Sequence, residues 1–179
     1  MEPSHTAHDT ARLLLWGVPE LHLGGRVVPF GRERRFQLLV LLALNDGHWV
    51  GRDRASALLW SGHTVADARR NLRKVIHQAR EVPGAEGLEA TDHAMRWVVD
   101  TDRQAFRRAV ECGDIDAALV LRRGALVEGF DDPANAALSD WLAAERARAD
   151  QAWRAAAATR LRGAADSAAQ LRLAQRMLD

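Results

Sequence analysis

From Arg12 to Gly31 the apolar positions come in short runs broken at Gly17-Val18-Pro19, at Gly24-Gly25 and at Pro29. Punctuation of that kind predicts a small antiparallel sheet with strands near 12–16, 20–23 and 26–29. From Arg32 the period lengthens. Phe36, Leu39, Val40, Ala43 and Leu44 recur at helical spacing until Asn45-Asp46-Gly47 stops the helix. His48-Trp49-Val50 then predicts a brief return to the sheet. Asp53 is placed to cap a helix ending near Trp60, and Ser61-Gly62 turns the chain into a further helix over 64–81. Pro83-Gly84 breaks the chain again, and residues 87–91 and 95–100 predict a hairpin around Asp92-His93-Ala94.

Sheet, three helices and hairpin is the order of a winged helix, whose third helix enters the DNA major groove. The pattern of 64–81 suits that place. At 100° per residue, Val65, Ala68, Leu72, Val75, Ile76 and Ala79 share one narrow sector, while Ala66, Arg70, Arg73, Lys74 and His77 lie opposite. Arg69 and Arg80 flank the basic side, and Asn71 and Gln78 point away from it. Five Lys/Arg stand against Asp67 and Glu81 in this segment, although the whole chain carries only +1. Guanidinium forks can bridge O6 and N7 of guanine, and lysine suits phosphate. A plain solvated face is the competing reading of such a charge run.

Beyond Thr101 the composition shifts to alanine, arginine and leucine. Residues 102–113 and 114–124 each open on an aspartate and close on a glycine, which predicts two short antiparallel helices. A loop follows over 124–133, then a long helix from about Asn135 to Arg162 and a last one over 164–178. Small residues let helices approach closely, as in tetratricopeptide-like arrays. The expected architecture is mixed α and β, mainly α. A loose leader (1–10) precedes a winged-helix DNA-binding domain with a small antiparallel sheet and hairpin wing (11–100), followed by an all-α tetratricopeptide-like domain (101–179). The absence of a polar capping helix at the end suggests a fragment of a longer regulator.

Composition narrows the classes. With 47% hydrophobic and 27% charged residues the chain is globular. Cys112 has no second cysteine to pair with, and no Cys/His spacing suits a zinc ion. The longest uninterrupted apolar run, Leu38 to Leu44, is far too short for a bilayer, and a signal pattern is lacking, so a cytoplasmic location is expected. Seven histidines are scattered without metal-ligand spacing, and no cofactor or catalytic set is indicated; the expectation is not an enzyme. Trp16, Trp49, Trp60 and Trp97 sit in apolar runs and are expected as core anchors, with Trp141 and Trp153 as packing residues of the long helix.

In its strings 33–53, 57–60 (ALLW), 68–80 (ARRNLRKVIHQAR), 123–130 (RGALVEGF) and 140–153, the chain resembles the SARP regulators, an OmpR-type winged helix followed by a bacterial transcriptional activator domain. The resemblance implies a regulator that binds promoter double-stranded DNA at direct repeats, as pairs of protomers, and recruits RNA polymerase. Its DNA contacts would fall on Arg69, Arg70, Arg73, Lys74, His77 and Arg80, with Arg96 on the wing. The Gly-Tyr pair usual at the wing is here Ala94-Met95, which disfavours a tight turn with positive φ. The phosphate-loop motif of larger relatives does not occur in this sequence. A different class of function, a helical protein-interaction module that uses the winged helix as a structural dock, would share the same sequence pattern.

Overall fold

A computed structural model describes the backbone of residues 10–178 and side chains through 164; the predicted leader, apart from Thr10, and the side chains assigned to the last helix lie outside the described residues. The order is β1 (Arg12–Leu14), β2 (Glu20–Leu23), β3 (Arg26–Val28), α1 (Arg34–Ala43), β4 (Val50–Gly51), α2 (Arg52–Leu59), α3 (Val65–Arg80), β5 (Glu89–Ala90), β6 (Ala94–Arg96), β7 (Asp100–Thr101), α4 (Asp102–Glu111), α5 (Ile115–Val120) and α6 (Ala136–Leu178). This is a winged helix followed by a helical half, mixed α and β and mainly α.

Two small sheets frame the first half. One runs β3-β2-β1-β7, antiparallel except for the parallel pair β1/β7. Its β2–β3 connection is a two-residue turn, Leu23 facing Arg26, with Gly24 and Gly25 at φ 55° and 76°, the backbone that glycine adopts without steric cost. The other sheet, β4-β6-β5, holds the wing. His48-Trp49-Val50 therefore returns to the wing and not to the first sheet, and the predicted strand 95–100 is divided, its end leaving the hairpin to pair with β1.

Helix α1 is buried on every side: Leu38, Leu39, Val40, Leu41, Leu42 and Ala43 are all at most 1% exposed. A run apolar on all faces, as from Leu38 to Ala43, is the sequence form of a central helix segment, while Arg34 and Arg35 at its start reach the surface. The helical half closes over it through a set of specific bonds. Residues 125–128 run beside the end of β1, with Val127 N–H donating to the Leu15 carbonyl (2.7 Å) and Gly17 N–H to the Ala125 carbonyl (2.8 Å). The buried Asp102 carboxylate accepts the N–H groups of Leu15 (2.7 Å) and Trp16 (3.1 Å). Burial pushes this carboxyl above the usual carboxylate range, while those two N–H groups and Arg123 draw it partly back. Asn135 ties three elements: its amide donates to the carbonyls of Leu58 and Leu59 at the end of α2 (2.9 and 3.1 Å), and its Oδ1 accepts from the Ser61 hydroxyl (2.7 Å) and from Leu138 N–H in the first turn of α6 (3.3 Å).

Several expected boundaries move. Helix α2 starts two residues earlier than an Asp53 cap would place it: Gly51 is its N-cap, and Asp53 lies in the first turn. Thr101, not Asp102, caps α4, in a capping box with Gln104. Asp114 caps α5 as expected, but that helix is short. The predicted break near Gly163 is absent, and α6 continues through it as one helix of 43 residues. A lone glycine weakens a helix by about 1 kcal/mol, which long flanking alanine stretches offset. Trp16, Trp60 and Trp97 are core residues, and Trp141 and Trp153 pack against the core, half-buried. Trp49 is not a core anchor: it is 46% exposed, because it stands on the outer face of the wing sheet, opposite to the buried Val50 and Met95.

Candidate nucleic-acid interface

The Thr64 hydroxyl opens α3 by accepting Asp67 N–H at 3.2 Å. The helix buries Ala68, Leu72, Val75, Ile76 and Ala79, held between α1 and α2. Val65, assigned to the same stripe, is 66% exposed and lines an open cleft with Ser56 and Ala57 of α2 and with Trp60. Arg69, Arg70, Arg73, Lys74, His77 and Arg80 are all exposed.

Their partners differ. Arg69 pairs with Asp53 of α2 (3.0 Å), Arg70 with Asp67 (2.9 Å) and His77 with Glu81 (3.5 Å). Exposed pairs of this kind are worth about 0–1 kcal/mol and can be exchanged for another anion. Arg80 donates to the Leu88 carbonyl (3.0 Å), which ties it to the approach to the wing. Among the described residues Arg73 and Lys74 have no ion-pair or hydrogen-bond partner, and they occupy adjacent positions in the middle of the helix.

The wing turn closes without glycine. The Thr91 hydroxyl accepts the N–H groups of His93 (3.3 Å) and Ala94 (3.1 Å), and Thr91 N–H donates to the Ala94 carbonyl (2.8 Å). A side-chain oxygen thus replaces the backbone conformation a glycine turn uses. Arg96 is not at the tip. It lies in a row across the outer face, its guanidinium 4.7 Å from the centre of the Trp49 ring and paired with Glu89 at 2.8 Å.

Two open clefts border the exposed face of α3. One, about 390 Å³, lies between α3 and the start of α1, lined by Asn71, Lys74 and Gln78 with Arg34 and Arg35. The other, about 420 Å³, lies between α3, the start of α2 and the wing turn, and includes Arg52, Arg69, Arg73, His93, Asp53 and Asp92. Sequence reasoning missed Arg35 and Arg52, because they belong to other helices and only the fold brings them beside α3. Among the described residues no cluster of three or more His, Cys, Asp or Glu is gathered to hold a metal ion, and no helix is long and apolar enough to cross a membrane.

An amphipathic third helix with an exposed cationic face, a hairpin beside it and a helical half behind it define the chain's class as a winged-helix protein with a helical C-terminal half. EmbR of Mycobacterium tuberculosis, solved in complex with a low-affinity phosphopeptide, has a similar fold, with a TM-score of 0.60 and 20% identity over 91% of this chain and 49% of that one. The chain therefore spans about half the length of the EmbR chain, and at this identity the likeness is one of fold. No family model matches the sequence, and no curated protein matches it.

Proposed function

We propose that the chain is a sequence-specific DNA-binding transcriptional regulator that lays α3 into the major groove of promoter DNA. The single observation that carries this is the pair Arg73 and Lys74, exposed at the centre of a helix whose opposite face is buried, with no partner among the described residues. Unpartnered cations on a rigid helix suit a polyanion, and the neighbouring Arg69, Arg70 and His77 hold only exchangeable surface carboxylates. The DNA-binding unit runs from 11 to 100, and the helical unit from 101 onward serves contacts with RNA polymerase and with a second protomer on tandem sites. Activation, direct-repeat sites and polymerase recruitment follow from the SARP resemblance, which the EmbR-like fold supports. The phosphopeptide belongs to the EmbR structure and carries no assignment to this chain.

A duplex selected from random sequence with the parent protein provides the test. Binding is titrated by fluorescence anisotropy across salt concentrations with the parent and with Arg73→Ala/Lys74→Ala. We expect log K to fall linearly with log[salt], by about 0.9 per neutralised phosphate, and the double variant to bind more weakly while keeping its helical spectrum. No duplex binding, or binding indifferent to salt, would favour a protein-interaction module instead.

A further inference from the structure

We propose that Asn135, the residue before α6, is a positioning residue for DNA reading: it holds the end of α2 and the turn that follows, and so sets where the first turns of α3 enter the groove. This rests on the DNA-binding reading above and gives the helical half a part in sequence recognition.

The start of α3 has little to hold it from within. Ala68 is its first buried residue, Val65 is exposed, and an open cleft of about 520 Å³ lies between α2, the turn at Ser61, Gly62 and His63, and the first residues of α3. Within the turn, His63 N–H donates to the Trp60 carbonyl (3.2 Å), and Gly62 at φ 88° reverses the chain. Yet the start of the helix matters most for reading, since a recognition helix contacts base edges through its N-terminal residues. Here that stretch carries Arg69 and Arg70.

What fixes the turn comes from the other half of the chain. Leu58 and Leu59 end the short helix α2, and the last carbonyls of a helix have no partner within it. The Asn135 amide donates to both, at 2.9 and 3.1 Å, and its Oδ1 accepts the Ser61 hydroxyl at 2.7 Å inside the turn. The same Oδ1 accepts Leu138 N–H at 3.3 Å, the bond of an N-cap, so α6 holds the amide that holds α2. Both amide hydrogens and both oxygen lone pairs are used, which leaves the group one orientation. Asn135 is 2% exposed, and three residues before it Asp132 pairs with Arg34 at the start of α1 (2.6 Å). One short segment of the helical half thus grips both helices between which α3 is held.

The test uses the full chain and two labelled duplexes, the one selected with the parent and a scrambled one of the same composition. Asn135→Ser keeps a cap for α6 but has no amide to reach α2. It is expected to weaken binding to the selected duplex roughly three- to tenfold, as the fraction of molecules with α3 correctly placed falls. Binding to the scrambled duplex, which phosphate contacts carry, should keep the parent's affinity and salt slope. Ser61→Ala should act in the same direction, and it serves alone where Asn135→Ser does not fold. Arg122→Ala, which loses the Asp150 pair and the Trp153 ring within the helical half, should leave both duplexes bound as by the parent. Parent-like affinity of Asn135→Ser for the selected duplex (or of Ser61→Ala where it stands alone), equal weakening on both duplexes, or the same loss with Arg122→Ala overturns the positioning role and leaves the DNA reading standing. A parent protein that does not prefer the selected duplex, or binds neither, overturns both.

Discussion

The arginines of α3 and those along the seam of the helical half, Arg103, Arg122 and Arg146, are used in opposite ways. On α3 the guanidinium groups, except that of Arg80, which holds the Leu88 carbonyl, stand in water with an exchangeable carboxylate or, among the described residues, with nothing. On α6, Arg146 donates from Nε to the Leu126 carbonyl (2.9 Å), from one Nη to the Val127 carbonyl (2.8 Å) and from the other to Asp131 (2.7 Å). Val127 is fully buried and sits at φ 52°, a conformation that costs a β-branched residue about 1–3 kcal/mol and persists only when its surroundings impose it. Arg103 of α4 likewise donates to the Leu44 carbonyl (2.6 Å) and pairs with Asp46 (3.3 Å) at the end of α1. Arg122 pairs with Asp150 (2.8 Å) and lies over the Trp153 ring at 4.7 Å. Arginine content alone therefore says little about nucleic acid; what the guanidinium already holds decides.

That contrast can be broken by mutation, most severely beneath α3. Leu72→Ala removes the apolar floor under the exposed cations and should destabilise the protein by about 2–5 kcal/mol through a core cavity; coincident denaturation midpoints of variant and parent would mean that the faces are misassigned. Arg146→Ala leaves two carbonyls of buried residues without their donor and should cost about 3 kcal/mol, read by urea denaturation. Asn135→Ala strips its partners at the ends of α2 and α6, and about 2 kcal/mol is expected. By contrast, Arg70→Ala with Arg73→Ala should change stability by less than about 0.5 kcal/mol each, as surface substitutions do, while weakening duplex binding. Equal losses for Arg73→Ala and Arg146→Ala would abolish the distinction between the two sets.

A smaller effect sharpens the contact between halves. The folded-state pKa of Asp102 lies above its ordinary 3.8, so the folded chain binds this proton more tightly than the unfolded one. The stability from that proton is present below pH 3.8 and is lost as pH rises through the folded value. The difference in unfolding free energy between the parent and Asp102→Asn should therefore fall with rising pH across that window and then level off. A difference that grows would show the opposite shift.

Much of this was legible from period and punctuation. The stripe Ala68, Leu72, Val75, Ile76, Ala79 and the basic positions opposite it were readable, because one helix face packs and the other does not. So was the Gly24-Gly25 turn, since that backbone demands glycine. Trp49 was misassigned because strand alternation says which residues share a face but not which face is covered. The continuity of α6 through Gly163 was missed because a local breaker signal is weighed against flanking helix strength that no short window contains. Arg35, Arg52 and Asn135 were invisible for a different reason: each acts across elements far apart in the chain, and nothing in its neighbouring residues records that partner.

Strand β7 runs into α4 without an intervening residue, and the same threonine that ends the strand caps the helix, while the next residue holds the end of β1. In hydrodynamic terms the described part of the chain has no tether about which two beads could swivel. Nuclear spin relaxation should therefore give one rotational correlation time for amides of α3 and of α4, and a force applied to the far end of α6 would be delivered to the helix-turn-helix as leverage and not absorbed as slack.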